Sequence, residues 1–329
     1  MRILINELIM RFAIFGRRFA QVLIVLVGST FLLAMLLQLL PVGLEELYVV
    51  SFDEASRQQQ LERLRLDRNP VFGYFGWLWD FVRGDFGQYI YVGAGEKPVS
   101  RQISAALPVS LRLVFYVQVV SILVSVPLGI YTAYRAGQKT EKVVSNVLFT
   151  ASAIPNFVLA LLFAGFFGVT LGWFPPLGYV GPSEDLVQHF RTMALPVLAL
   201  AIPLIAAYTR ILRTDMIASL REDYVTMAAS KGLSNRRILF RHVLRPSSIT
   251  LLTSAALNMG GLIGGAVVIE QIFSIPGMGT EIAIAIFGRQ YFALQSYVAL
   301  IAVGYVLFNV FVDLLIGFVD PRARERRSA

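Results

Sequence analysis

The most regular feature of the sequence is a set of long apolar runs separated by polar connections. Each run is about 20 residues long, the length that an α-helix needs to cross a bilayer. They occupy residues 19–40, 113–134, 147–171, 193–212, 249–272 and 296–319. The pattern predicts an all-α polytopic membrane protein with six transmembrane helices.

The composition excludes a water-soluble enzyme. Of 329 residues, 15% are charged and 56% hydrophobic, and the mean hydropathy is +0.66, whereas soluble domains carry about 25% charged residues. The chain has no cysteine, and His189 and His242 lie in separate polar segments, so we predict no metal site. Neither a phosphate-binding G-x-x-x-x-G-K-[ST] loop nor a catalytic motif occurs, so we expect no catalytic residue and no bound nucleotide in this chain.

The basic residues predict an orientation. Eighteen of the 29 lysines and arginines precede the first run, lie in the second and fourth connections, or follow the last run. Because cytoplasmic segments are enriched in such residues, both termini are predicted to be cytoplasmic. The net charge of +8 is then explained by orientation and anionic lipid, without nucleic acid. The predicted parts are an interfacial helix (1–18), the first transmembrane helix (19–40), an extracytoplasmic loop (41–112), a five-helix core (113–319) and a cytoplasmic tail (320–329).

Few charged side chains fall within the apolar runs. Arg210 and Glu270 lie within a turn of the end of a run, and both are expected to reach water by snorkelling. Asp313 precedes the end of the last run by six residues, a depth of about 9 Å. An ion-coupled carrier or an intramembrane enzyme needs polar clusters deeper in the bilayer, so both stay as weaker alternatives.

The fourth connection, residues 213–248, carries seven of the basic residues; we name it the basic loop. Ser219 and Glu222 have the spacing of a capping box, which predicts the start of a short helix. Gly232 suits the left-handed position that ends such a helix. Ser234 is expected to cap a second helix, and Pro246 to end it before the next run. The basic loop is therefore predicted to form a helix-turn-helix.

The first of these helices has the composition of a docking element. Its small residues, Ala228 and Ala229, lie beside Tyr224 and Met227, and such a surface fits into a groove of a partner protein. The alternative is a solvated amphipathic hairpin whose arginines only set the topology.

The basic loop resembles the EAA loop of ATP-binding-cassette (ABC) importer permeases, and within that group the peptide-transport subfamily and its first, B-type permease. An acidic-Tyr-Val start leads through an alanine pair to Lys231-Gly232-Leu233. Thr226 and Met227 replace the Glu and the first Ala of the general pattern. Other matching segments follow in the family's order: Arg83-Gly84-Asp85-Phe86-Gly87, Pro127-Leu128-Gly129, Ile154-Pro155-Asn156-Phe157, Leu171-Gly172-Trp173-Phe174-Pro175, Pro276-Gly277-Met278-Gly279 and Asp320-Pro321-Arg322.

The resemblance implies a type I ABC importer fold in a bacterial inner or plasma membrane. It implies four kinds of partner: a homologous second permease, two ATPase subunits or domains that hold ATP and Mg²⁺, an extracytoplasmic binding protein, and membrane lipid. The implied substrates are di- or oligopeptides, with nickel or glutathione as alternatives. The residues that it assigns to coupling with the ATPase are Glu222, Asp223, Tyr224, Met227, Ala228, Ala229, Lys231, Gly232 and Leu233.

A second group of residues is expected to line the pathway or to pack helices together. Prolines break apolar runs and free backbone carbonyl groups, closely spaced glycines let two helices approach, and one polar pair shares a helix face. The group consists of Pro127, Pro155, Asn156, Gly260, Gly261, Gly264, Gly265, Asn309 and Asp313.

Overall fold

A computed structural model describes residues 24–36, 69–91 and 95–319. The described chain is almost entirely helical, with one antiparallel hairpin of β1 (Gln88–Tyr91) and β2 (Gly95–Pro98). The helices are α1 (Ile24–Leu36), α2 (Pro70–Val82), α3 (Val99–Tyr134), α4 (Lys139–Ala153), α5 (Asn156–Phe163), α6 (Leu186–Leu220), α7 (Asp223–Ser230), α8 (Leu244–Phe273), α9 (Met278–Phe287) and α10 (Tyr291–Val319).

Three described helices are long and apolar enough to cross a membrane unbroken: α3, α6 and, over Tyr291–Phe308, α10. Each extends beyond its predicted apolar run, and α3 begins at Val99, fourteen residues before the run at 113–134. Helix α1 falls within the first predicted span, 19–40. The remainder of that span, the predicted interfacial helix 1–18 and the tail 320–329 lie outside the described residues.

The third and fifth predicted spans are not straight helices. Helix α4 and the segment Asn156–Thr170 meet at 95°. Pro155 stands at this break as the N-cap of α5, because it has no N–H to continue the hydrogen bonds of α4. The segment Asn235–Leu262 meets Gly264–Phe273 at 59°. The third predicted span, 147–171, is thus broken at Pro155, as its proline indicated, and the fifth, 249–272, is bent as well. Pro127, by contrast, does not interrupt α3, which is one helix from Val99 to Tyr134.

The chain divides into two compact units. The first, residues 1–108 and 280–307, has an aromatic core in which Tyr74, Trp77 and Phe81 of α2 are buried. The Trp77 indole Nε1 donates a hydrogen bond to Ser296 Oγ at 3.2 Å, and the hydroxyls of Tyr74 and Thr30 lie 2.8 Å apart. Aromatic packing with satisfied polar atoms thus holds α2 against α1 and α10.

The second unit, residues 109–279 and 308–329, contains the basic loop. One apolar cluster is formed by buried side chains of α3, α5, α6 and α8. A second cluster lies next to the basic loop, and its buried members are Ala133, Tyr208, Leu212, Met216, Val225, Ala228, Ile238, Val243, Leu251 and Ala255. The basic loop therefore rests on a core of its own within this unit.

Candidate functional site

The basic loop begins inside a helix, which corrects the predicted capping box. Helix α6 continues to Leu220, and α7 begins at Asp223 with Glu222 as an N-cap whose side chain makes no capping bond. Ser219 belongs to the last turn of α6, and its hydroxyl lies 3.1 Å from Ser247 Oγ. A tertiary hydrogen bond 28 residues along the chain has replaced the local one.

Gly232 ends α7 as predicted. Its φ is +75°, a left-handed conformation that strains any residue with a Cβ. The Gly232 N–H donates to the Ala229 carbonyl oxygen at 2.9 Å, and the Leu233 N–H donates to that of Ala228 at 3.3 Å. This pair of bonds is a Schellman motif, with Leu233 packed against the second apolar cluster. The turn satisfies the end of α7 without help from a partner.

Helix α7 has a buried face and an exposed face. Val225 and Ala228 are buried in the second apolar cluster. Tyr224 and Met227 are 42% and 59% exposed, and Ala229 is exposed as well. Ala228 is therefore small because it packs inside this chain, whereas the exposed face presents an aromatic ring, a flexible thioether and a small residue. The other residues assigned to coupling are Glu222, Asp223, Lys231 and Gly232, all exposed, and the half-buried Leu233.

The second helix of the basic loop does not end at Pro246, contrary to the prediction. Asn235–Arg237 is helical, Ile238–Val243 is a π-helix, and α8 follows directly. Pro246 lies near the start of α8, inside a continuous helical segment where its ring and its missing N–H disturb the regular α-helical hydrogen bonds. The wider π-turn precedes it and accommodates the change in hydrogen bonding. The predicted helix-turn-helix is thus a short helix followed by the start of the bent fifth span.

The start of this helix is strongly basic and carries an open cavity of about 430 Å³. Among the described residues, no carboxylate forms a salt bridge with the arginines of the cavity. Ser234 is the N-cap of the helix, as predicted, but its side chain makes no capping bond. The lining residues are Ser234, Arg236, Arg237, Phe240 and Arg241.

A salt bridge fixes the basic loop to the rest of the second unit. Arg213 Nη2 lies 3.0 Å from Glu141 Oε1, and Glu141 is buried. This pair joins the beginning of α4 to the last part of α6. The exposed turn before α4, which contains Ala136, consequently lies at the same end of the unit as the basic loop.

The residues predicted to line the pathway or pack helices are not brought together. Pro127 is exposed, and Pro155 and Asn156 form the bend between α4 and α5. Gly260 is buried. A Cβ added at Gly261, Gly264 or Gly265 would meet no atom within 4 Å, so no helix of the described chain covers them. Asn309 and Asp313 belong to α10, but their side chains lie outside the described residues.

Glu270 does not snorkel, which corrects the prediction. It is fully buried, and its Oε1 accepts a hydrogen bond of 2.6 Å from Ser110 Oγ of α3. Its Oε2 accepts one of 2.7 Å from the Gly279 N–H, while Ser110 Oγ accepts one of 2.8 Å from the Met278 N–H. We name Ser110, Glu270 and the turn 274–279 the glutamate corner. Sequence reasoning missed it because Ser110 and Glu270 are 160 residues apart; the nearby Pro276-Gly277-Met278-Gly279 was the available signal.

The two histidines do not form a metal site. His189 is buried, and its Nδ1 donates to the Val180 carbonyl oxygen at 2.7 Å, while Nε2 lies 3.1 Å from the Tyr116 hydroxyl. Nε2 therefore joins α6 to α3, and Nδ1 joins α6 to the connection that precedes it. No group of three or more His, Asp or Glu residues in the described chain has the arrangement of a metal site.

The comparison with protein families decides the identity. The model of the binding-protein-dependent transport system inner membrane component matches residues 125–325, which is more than half of the chain and includes the entire basic loop. The chain belongs to this family. The permease is therefore a multi-pass membrane subunit of an ABC importer that works with a binding protein and in a complex with other subunits. The prediction of an ABC importer permease is confirmed.

Curated relatives cover most of the permease. The oligopeptide transport system permease protein AppB of Bacillus subtilis is 34% identical over 271 residues, which cover 82% of this chain and 85% of AppB. The dipeptide transport system permease protein DppB of Alkalihalophilus pseudofirmus is 28% identical over 331 residues, with coverage of 94% and 98%. The resemblance to the peptide-transport subfamily is confirmed.

The fold of the permease is also found among solved structures. A chain of the MetNI methionine ABC transporter, from a study of its inward-facing conformations, matches with a TM-score of 0.56 and 15% sequence identity. The match covers 67% of this chain and 96% of the MetNI chain. This likeness confirms the predicted all-α fold of an ABC transporter permease.

Proposed function

We propose that the permease imports peptides, and that it is driven by ATP hydrolysis on cytoplasmic ATPase subunits that dock on the exposed face of α7. The docking proposal rests on the observation that α7 has two different faces. Val225 and Ala228 hold the helix on its own core, while Tyr224 and Met227 remain exposed. Large apolar side chains that anchor an interface have this exposure before the partner binds.

The basic residues support a cytoplasmic position for the basic loop and for both termini. The loop carries seven lysines and arginines within 36 residues, and short basic connections of this kind stay on the cytoplasmic side. ATP and Mg²⁺ would then be held by the ATPase subunits on that side. The binding protein would approach the opposite side, where the predicted extracytoplasmic loop lies.

A second, homologous permease is proposed to complete the pathway. Gly261 and Gly265 are one helical turn apart on α8, and a Cβ added at either would meet no atom of the described residues within 4 Å. Small residues at this spacing allow the backbone of another helix to approach closely. We propose that a helix of the second permease packs there and that the bent spans at Pro155 and in α8 border the pathway between the two permeases.

Peptides are the proposed cargo because AppB and DppB, which align with most of the chain, are an oligopeptide and a dipeptide permease. Nickel and glutathione permeases are the alternative. The decisive experiment is reconstitution of the permease with the second permease, the ATPase subunits and the binding protein in nanodiscs. Binding protein loaded with trialanine should stimulate ATP hydrolysis, whereas stimulation by nickel or glutathione but not by trialanine would overturn the peptide assignment.

The docking face is tested by Ala229→Glu, with Ala136→Glu as a matched control. Both alanines are exposed at the same end of the second unit, but only Ala229 lies on α7. Ala229→Glu should abolish co-purification of the ATPase subunits while leaving the permease folded, and Ala136→Glu should co-purify normally. Equal co-purification of both variants would contradict docking on α7.

A further inference from the structure

The turn after α8 is wrapped around the carboxylate of Glu270. A Cβ added at Gly277 would lie 2.5 Å from the Glu270 carboxylate oxygens, closer than side-chain atoms approach one another. A Cβ at Gly279 would overlap the Val267 backbone and lie 2.8 Å from Glu270 Oε2. Both glycines are therefore required by close approach to this carboxylate. The Pro-Gly-Met-Gly sequence thus reflects the close packing of this turn in the glutamate corner.

The polar groups at the corner satisfy one another. Ser110 Oγ donates to Glu270 and accepts from the Met278 N–H, so one hydroxyl joins α3, α8 and the turn. The Ile275 N–H donates to the Glu270 carbonyl oxygen at 2.8 Å, and Ser274 takes the left-handed conformation with φ of 55° that starts the turn. A buried network with all these bonds made is rigid, because opening it leaves several polar groups without partners.

Apolar residues would pack the end of a helix in a membrane protein at lower cost than a buried carboxylate. The carboxylate therefore does something that apolar packing would not do. It fixes the geometry between two helices that run in opposite directions. Helix α3 at Ser110 and the last turn of α8 at Glu270 meet here, far from the basic loop, where the predicted topology places the extracytoplasmic side.

We propose that Glu270 is a positioning residue that clamps the turn of α3 around Ser110 and the outer end of α8 into one rigid body throughout the transport cycle. The clamp transmits movement from the basic loop along α8 to α3 at Ser110, so that ATP hydrolysis and peptide movement stay coupled. This inference rests on the proposed function, since it assigns the clamp to transport driven from the basic loop.

The first test measures peptide transported per ATP hydrolysed, using tritiated trialanine and the complete complex in proteoliposomes. Ser110→Ala and Glu270→Gln should lower this ratio by about tenfold, because the first removes a hydrogen bond to a buried charged group and the second replaces one accepting carboxylate oxygen with an amide N–H donor, while basal ATP hydrolysis and assembly persist. Ser110→Thr keeps the hydroxyl and should retain at least half of the ratio. Ser104→Ala, at an exposed serine of the same helix, should behave as the wild type.

A structural role alone would reduce the amount of folded complex and leave the ratio for the surviving complexes unchanged. That result would overturn the inference, as would a wild-type ratio in both Ser110→Ala and Glu270→Gln. Failure of the proposed function is distinguishable, because then the wild-type complex itself would show no ATP-dependent uptake of trialanine.

The second test uses the absence of cysteine from the chain. In the double variant S110C/M278C, the two cysteines replace residues that are in contact, since the Met278 backbone nitrogen lies 2.8 Å from Ser110 Oγ, so oxidation should form a disulfide detectable by mass spectrometry. The oxidised complex should regain at least half of the wild-type ratio, and reduction should return it to the level of Ser110→Ala. An oxidised complex that is inactive, or a pair of thiols that does not cross-link, would show that the corner opens or is not formed.

Discussion

The basic loop and the glutamate corner lie at opposite ends of α8, and each depends on glycine for a different reason. At Gly232 the requirement is conformational: φ is +75°, and an added Cβ would meet no described atom within 4 Å. At Gly277 and Gly279 the requirement is room, since an added Cβ would enter the Glu270 carboxylate at Gly277 and would overlap Val267 Cα at Gly279. Glycine thus occurs in an uncrowded turn at one end of α8 and in a tightly packed turn at the other end.

The two regions also differ in how complete they are within this chain. In the corner, Glu270 and Ser110 are buried and hydrogen-bonded to each other and to the turn. In the basic loop, Tyr224 and Met227 are exposed, and the arginines around the cavity have no carboxylate partner in the described structure. The corner is thus completed by residues of this chain, whereas the exposed face of α7 has the character expected of the docking face proposed above.

The largest effect expected from this comparison is that of Gly279→Ala. The new Cβ overlaps backbone atoms of Val267, which cannot rotate away, and overpacking of this kind costs about 3 kcal/mol. The purified complex should unfold several degrees earlier in a thermal scan. A midpoint equal to that of the wild type would mean that the turn is not packed on α8.

A pair of adjacent substitutions separates the two faces of α7. Ala228→Leu places a larger side chain in the buried cluster and should destabilise the permease by about 2 kcal/mol, seen as a lower thermal midpoint. Ala229→Leu should leave that midpoint unchanged but weaken binding of the ATPase subunits, measured by co-purification. If the two variants behaved alike in both measurements, the division of α7 into a packing face and a docking face would be wrong.

Gly232→Ala should have the smallest effect on stability. Nothing blocks the added methyl group, so the cost is that of the left-handed conformation alone, about 1 kcal/mol. Gly232→Asn should cost less, because Asn tolerates this conformation better than Ala. A thermal scan that ranks Gly232→Ala as more damaging than Gly279→Ala would reverse the comparison between the two ends of α8.

Local rules predicted those parts of the structure that local forces determine. The apolar runs located α3, α6, α8 and α10, since a span must satisfy its own backbone. The end of α7 at Gly232 was predictable because the Schellman motif involves only residues within one turn. Tyr224 and Met227 are three residues apart, so their position on the same face of one helix could also be predicted from local spacing.

Tertiary contacts decided the features that sequence reasoning missed. Ser219 was available for a capping box, but the end of α6 packs where Ser247 is closer. Glu270 was near enough to the end of an apolar run to reach water, but Ser110 and the backbone of the turn compete successfully for its carboxylate. The hydrophobic periodicity of the sequence gives no information about hydrogen-bond partners that are 28 or 160 residues away.

The central claim, docking of an ATPase subunit on the exposed face of α7, is tested most directly by site-specific cross-linking. Because the chain has no cysteine, single cysteines can be introduced as M227C on the exposed face and as S104C near the start of α3, and each can carry a benzophenone group. In the assembled complex, irradiation should join M227C to an ATPase subunit and S104C to none. Absence of an ATPase adduct at M227C, or equal adducts at both positions, would contradict the account.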